Sequence, residues 1–546
     1  MSEATEWDAV VVGAGAGGAA AAYGLCRRGL SVLLLDAGPR FDPSTDYPLT
    51  DADADTRIFP EKPGSTGKVS FAPGQALGDE PLLVSGSRGL GPVAPGGVRL
   101  MDRYHHVRGI GGTTLHFTGE AHRFHPDAMK MKTHFGVAAD WPLDYAALEP
   151  YYVEAEELIG VAGPEQQGAR WRSRKFPLPP HPLSYASQTL GRGAKAIGLD
   201  WQANSRAALS RPWNGRLPCN YCGGCNKGCP RGDKGSADVT FVAAAVATGR
   251  CTVRPDSPVV RIEAGSDDRV KAVLVGRPDG SLERVAGRQF VLACGAIETP
   301  RLLLASDGLA NESREVGRNF MDTLFIAVGA LHPEAQHGRR GLPSDAISWT
   351  YNAPDAIPGV VGGCRFYNAC GEIELGGLAA FALRAIPGWG RAHAQSVRQL
   401  WGHALHVGAI GERLPNPDSF VDLDPAARDR FGMPLARIAS ALAESDVARL
   451  RFMAKTSHAL LAASGAQRIY ESYSSWDWFA PTHVFGTCRM GEDPAGSVVD
   501  AFGRSHRWRN LWIADASVFP SAGGGEAPSL TIQALALRTA ERIRSA

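Results

Sequence analysis

The chain has 546 residues, too many for one hydrophobic core, so more than one structural unit is expected. Its 44% hydrophobic and 21% charged residues are ordinary for a soluble globular protein, and a formal net charge of +1 gives no electrostatic basis for a nucleic-acid or membrane-surface partner. With no basic-then-apolar leader before the first motif and no apolar run long enough for a membrane span, a cytoplasmic location is expected, where the 10 cysteines should be mostly reduced.

Asp8 to Val12 reads as a buried parallel strand, followed at once by Gly13-Ala14-Gly15-Ala16-Gly17-Gly18. An Ala-rich helix from Ala19 to Arg28 and a second strand from Ser31 to Leu35 complete a dinucleotide-binding unit ending at Asp36. Gly13 permits the tight turn, Gly15 the approach of a pyrophosphate, and Gly18 close packing of helix on strand. Asp36 stands where a ribose-binding carboxylate belongs, and the helix N-terminus offers unpaired N–H groups to phosphate. The motif alone does not separate a nicotinamide cofactor from a flavin. Its place at the N-terminal end of the chain, with no second such motif later, favours a bound flavin.

From Val107 to His116 the sequence runs Val-Arg-Gly-Ile-Gly-Gly-Thr-Thr-Leu-His, and here it resembles the glucose–methanol–choline flavoproteins. Further stretches match that family in order: Asp140-Trp141-Pro142-Leu143, Ala293-Cys294-Gly295-Ala296 through Leu303, Val316 to Asp322, His483 to Gly491, and Asp515 to Pro520. The resemblance implies FAD, held by Gly13, Gly15, Gly18 and Asp36, with Gly111, Gly112, Thr113, Val260 and Asp515 also at the cofactor. His116 is a further candidate there, since some sugar-oxidising relatives attach flavin covalently through a His at the equivalent place; a packed, unbonded His is preferred.

The fold class expected is α/β: a Rossmann-like FAD-binding domain with a discontinuous α+β substrate domain built on an antiparallel sheet. The FAD domain is assigned 1–125, 211–321 and 481–546, and the substrate domain 126–210 and 322–480. Between Cys251 and Glu298, apolar strand-like segments alternate with polar turns, reading as a small meander that returns to the nucleotide sheet. Strands at Leu324–Val328 and Ala346–Tyr351 and a helix at Ser445–Ala463 are expected beyond it.

Cys219, Cys222, Cys225 and Cys229-Pro230 have the spacing of a bacterial ferredoxin run, so an iron–sulfur cluster carrying electrons to an external acceptor is one reading. Zinc and a cysteine-rich structural loop are the others.

Alcohol oxidation by flavin moves a hydride to the flavin N5 and a hydroxyl proton to a base, a task that suits a neutral His. The resemblance places His483 in that role. The family's second active-site residue, His or Asn, precedes a proline; here Gly523-Gly524-Gly525-Glu526-Ala527-Pro528 puts Ala527 at that position. Glu526 is therefore the second catalytic candidate, as a base or as an anchor for a substrate cation, against a solvent-facing place at a loop tip. The cysteine run and this loop resemble the family members that oxidise the 6′-alcohol of aminoglycosides in antibiotic biosynthesis. A neutral sugar, polyol, sterol or aliphatic alcohol is the alternative, as are a nicotinamide-dependent dehydrogenase and a non-catalytic flavin electron carrier.

Overall fold

The computed structural model describes residues 7–47, 69–70, 100–101, 106–165, 167–371, 378–476, 478–479 and 482–543. Its N-terminal strand, Trp7–Val12, lies centrally in a 7-stranded sheet, flanked in parallel by Val32–Leu35 and by the second half of Leu282–Leu292. Cys251–Arg254 and Leu511–Ile513 pair in parallel on the outer sides of those neighbours. Every residue of Val32–Leu35 is buried, as is usual for a parallel strand covered on both faces. The helix Ala16–Arg27 crosses from the first strand to the second. It begins three residues before the expected Ala19 because the extended Gly15 already caps it.

Leu282–Leu292 belongs to two sheets at once. Residues 287–292 run parallel to Trp7–Val12, while residues 282–286 pair antiparallel with Val270–Gly276, which pairs in turn with Val259–Ala264. The alternating burial of Val259–Ala264 marks a sheet with one solvated face, as the expected meander requires. Asn510 joins the two parts: its Nδ2 donates to the carbonyls of Val270 and Arg288, both at 2.9 Å, and its Oδ1 accepts from Val270 N–H at 2.8 Å.

The second large sheet is six-stranded and antiparallel wherever its strands pair. Its order is Arg468–Ser474, Leu324–Leu331, Ala404–Gly411, Cys364–Asn368, Ala346–Ser348 and Gln202–Ala203. Helices Glu444–Ala463 and Tyr185–Ala196 cover one face, packing Leu450, Met453 and Leu190 against Ile326, Val328, Val407 and Phe366. The strand expected to reach Tyr351 stops at Ser348, because Asp200 Oδ1 accepts the N–H groups of Trp349 and Thr350, both at 2.9 Å, and turns the chain.

The expected boundary at residue 126 does not separate the cores. Trp141, Leu148 and Tyr152 pack into the core of the nucleotide sheet, and helix Tyr145–Ile159 lies against Ser529–Arg542. Among the described residues no helix is long and apolar enough to cross a membrane.

Asn510 is buried and its three hydrogen bonds hold the junction of meander and parallel sheet. Asn510→Ala is expected to destabilise the fold by about 1–3 kcal/mol for each backbone group left unpaired, read as a lower thermal unfolding midpoint.

Candidate active site and cofactor cradle

The glycine motif and the Gly111-Gly112 turn meet directly. Gly111 N–H donates to Ala14 O at 3.0 Å, and a Cβ on Gly112, whose φ is +54°, would lie 2.7 Å from Gly15 Cα. Thr113 and Thr114 follow in the short helix Gly112–Leu115, which half-buried His116 terminates. At the end of the second strand, Asp36 Oδ2 accepts Ala14 N–H at 2.8 Å and Oδ1 accepts Gly38 N–H at 2.9 Å. Asp36 lines a cavity together with Gly13, Val260, Cys294 and Arg108. A Cβ on Gly18, in the helix, would come 1.8 Å from Gly13 O, so only glycine lets helix and turn approach this closely. Asp515 is buried and fixed on both oxygens, Oδ2 by Gly295 N–H at 2.9 Å and Thr299 Oγ1 at 2.6 Å, Oδ1 by Ser517 N–H at 2.9 Å. A cradle bare of side chains, a helix N-terminus above it and a carboxylate beside a cavity fit an adenine dinucleotide.

His483 is set by a short antiparallel pair, Met321–Asp322 with Val484–Phe485, and its carbonyl accepts Thr323 N–H at 3.2 Å. Its Nδ1 is sealed from solvent with no hydrogen-bond partner among the described residues. Burial pushes its pKa down to about 4, with the charge of Arg365 adding to the shift and that of Glu120 opposing it. The imidazole is therefore neutral above about pH 4, the state that accepts a proton.

Glu526 does not face solvent. It is fully buried; Oε1 accepts His125 N–H at 3.1 Å and Arg170 Nη2 at 2.5 Å, while Oε2 has no hydrogen-bond partner among the described residues. The carboxylate expected to await a substrate ammonium is met instead by Arg170, whose guanidinium also lies 4.2 Å from the Trp349 ring and bonds Asn352. The loop that carries Glu526 lies flat on the antiparallel sheet: a Cβ on Gly525, whose φ is +94°, would come within 2.3 Å of Ile410 O.

Ala527 turns its N–H, not a side chain, to a partner. That N–H donates to His122 Nδ1 at 3.0 Å, and His122 Nε2 bonds Asn204 Oδ1 at 2.8 Å. Asn204 donates to Glu120, which pairs with Arg365. His122, Glu120, Arg170 and Arg365 carry no local motif, and only the fold brings them to the loop. The one trace in the sequence is the glycine run itself, which announces a backbone packed against something.

The cysteine run does not build the metal site that its spacing suggested. Among the described residues no three or more His, Cys, Asp or Glu side chains form a group able to hold a metal ion. Cys222 is exposed while Cys225 is buried, and burial raises the Cys219 thiol and pushes that of Cys225 up to about 11. Cys225 O accepts the buried Lys234 ammonium at 2.6 Å, and Cys229 Sγ sits 3.4 Å from Asp233. An exposed Cys222 beside a buried Cys225 suits the structural-loop reading.

The sequence matches the GMC oxidoreductase family over residues 128–325 and 415–536, and an NAD(P)-binding Rossmann-like domain over 11–42. A 6'''-hydroxyparomomycin C oxidase of Streptomyces lividus is 31% identical across 99% of this chain and 91% of its own. This chain belongs to the GMC oxidoreductases. A fructose dehydrogenase large subunit of Gluconobacter japonicus is similar at 28% identity over 99% of this chain and 98% of its own. A formate oxidase of Aspergillus oryzae shares the fold, with a TM-score of 0.66 at 16% identity over 100% of this chain and 99% of its own. As a GMC oxidoreductase the chain is an FAD-dependent enzyme acting on CH–OH donors.

Gly112→Ala places a Cβ against Gly15 in the cradle and is expected to leave a folded protein that purifies with little flavin. The ratio of flavin to protein absorbance, before and after added FAD, reads the loss.

Proposed function

We propose that this GMC oxidoreductase oxidises the primary hydroxyl of a sugar-like substrate, an aminoglycoside pseudodisaccharide in the first reading, with His483 accepting the hydroxyl proton. The observation that carries this is the state of His483: neutral above about pH 4, its Nδ1 buried with no hydrogen-bond partner among the described residues. Bound FAD, held by Gly13, Gly15, Gly18, Asp36 and the Gly111–Thr113 turn, supplies the hydride acceptor. Removal of the proton to His483 and of the hydride from the same carbinol leaves an aldehyde.

The substrate class draws support from the face of the antiparallel sheet opposite its helices. Strand register sets Tyr473, Ala327, Gly408 and Tyr367 side by side in one row across four strands. Phe325, Ile410 and Arg365 form the next row, toward His483. Small residues make the floor, and half-buried Phe325, Ile410 and Tyr367 rise from it. Tyr367 lies across Gly408, where a Cβ would come 2.4 Å from its ring. Flat aromatic surface beside the base suits the C–H faces of a sugar ring. The 31% identity to a 6'''-hydroxyparomomycin C oxidase supports an aminoglycoside within that class.

A neutral sugar is the second reading, and one observation favours it. The charge of Glu526 is already matched by Arg170, so the loop offers no uncompensated anion to a polyamine.

His483→Ala is expected to keep FAD and slow anaerobic flavin reduction by about 10²–10⁴-fold, the usual range for a positioned base. Reduction at the normal rate in single-turnover mixing would remove His483 from the chemistry. Tyr367→Ala is expected to weaken binding of pyranoside alcohols about 3–10-fold and leave an acyclic alcohol unaffected, from the concentration dependence of the same reduction.

A further inference from the structure

We propose that the turn 429–433 forms the wall of the cavity beside Asp36 against which the adenosine half of FAD is held, and that the Arg301–Asp429 ion pair latches it there. Arg301 is then a positioning residue for the cofactor, although it lies far from the glycine motif. The proposal rests on the FAD reading of the cradle and not on the role of His483.

The cavity is lined by parts of the chain far apart in sequence. Gly13 and Asp36 come from the nucleotide sheet, Arg301 from the helix Gly295–Ala305, and Asp429, Arg430 and Phe431 from the turn. That turn joins the antiparallel strands Phe420–Arg428 and Pro434–Ala439, which fall in the stretch assigned on sequence to the substrate domain.

Asp429 does two things with one carboxylate. Its Oδ1 accepts Phe431 N–H at 2.9 Å and Met433 N–H at 3.1 Å, which shapes the turn from within. Its Oδ2 accepts Arg301 Nη2 at 2.8 Å, which fixes the turn to the helix. Arg301 is 3% exposed and reaches further along the same hairpin, where Nε donates to Pro434 O at 2.7 Å. Within the helix its Nη1 donates to Glu298 Oε2 at 2.9 Å. A guanidinium held by that many partners keeps one orientation, so the turn has one seat.

Phe431 supplies a second seat. A Cβ on Gly276 would lie 2.5 Å from its ring, so the ring rests on backbone left bare at the end of the strand Val270–Gly276. Gly276 N–H donates in turn to the carbonyl of Pro258, which also lines the cavity, at 2.8 Å.

The glycine motif and Asp36 answer the pyrophosphate and ribose, but none of them offers a face to a purine. Flat aromatic and cationic surfaces do. The turn brings both to the cavity: the Phe431 ring and the exposed Arg430, whose guanidinium lies 4.6 Å from that ring.

The experiment measures binding of FAD and of ADP to the apoprotein by titration calorimetry, ADP being the half of FAD that carries the adenosine. Asp429→Asn keeps the shape of the side chain and removes its charge. It is expected to raise both dissociation constants by the same factor, about 10-fold, because the loss falls on the half the two ligands share. A pair that merely cements the fold would lower the thermal unfolding midpoint of the apoprotein and leave both constants alone, and that result overturns the proposal. So does a FAD constant that rises while the ADP constant stays, since the loss would then lie at the flavin end. Arg430→Ala, at an exposed residue, is expected to weaken both ligands about 3-fold or more with the midpoint unchanged. If Asp429→Asn does not fold, unchanged constants in Arg430→Ala overturn the proposal. Wild-type apoprotein that binds neither ligand would defeat the FAD reading on which the proposal rests. None of these outcomes touches the flavin-reduction test of His483.

Discussion

Taking Arg365 and Glu120 out of water together is the constraint on which the active-site end of the molecule depends. Each is buried, and each alone would carry a penalty of several kcal/mol. Their pairing is repaid only where strand Cys364–Asn368, the segment Gly119–His125 and the loop Gly523–Pro528 are all in place. Those pieces are hundreds of residues apart in sequence. The pair therefore acts less as added stability than as a condition of assembly: a slip of the loop by one residue would take the Gly525 carbonyl from Arg365 and the Ala527 N–H from His122 together.

The same economy recurs around the site. Arg123 is matched by Glu149 and Glu156, Arg413 by Asp322, and Arg170 by Glu526, all buried. Asp322, matched by Arg413, lies in the strand pair that adjoins His483. The small core of Phe320, Val421, Ile438 and Val484 packs beside it and ties that strand pair to the helix Gly295–Ala305. Through Asp515, the N-terminal turn of that helix is fixed to the 516–518 turn. The strand pair beside His483 and the turn at Asp515 are thus joined by one continuous set of contacts.

How much of this was legible depends on the range of the interaction. Gly13, Gly15, Gly18 and Asp36 were readable because the turn, helix and second strand that give them meaning lie within 30 residues, and the parallel strands are apolar throughout. The meander and the helix Glu444–Ala463 were readable from local periodicity for the same reason. The family resemblance carried His483, whose neighbours alone would not distinguish it from other histidines. Glu526 shows the limit: its identity and its loop were visible, but its partner Arg170 lies 356 positions away in a segment with no motif, and that partner reverses the expectation of an anion waiting for a cation. The cysteine run misled for a related reason. Spacing along the chain does not say which way each thiol faces, and here one is exposed and another lies in the core.

The charges at the loop lead to one further step. Glu412 is fully buried beside the glycine run, and burial pushes it up to about 7, with Arg449 opposing and Glu526 adding to the shift. Glu526 with Arg170 on the underside of the loop and Glu120 with Arg365 on the sheet side are each matched, so Glu412 is the raised carboxyl beside them. Were His483 the base, as proposed, its imidazole would gain a positive charge while the hydride would carry a negative one to the flavin, and the aldehyde would be neutral. The Glu526–Arg170 and Glu120–Arg365 pairs, each matched within itself, would add no net charge to that exchange.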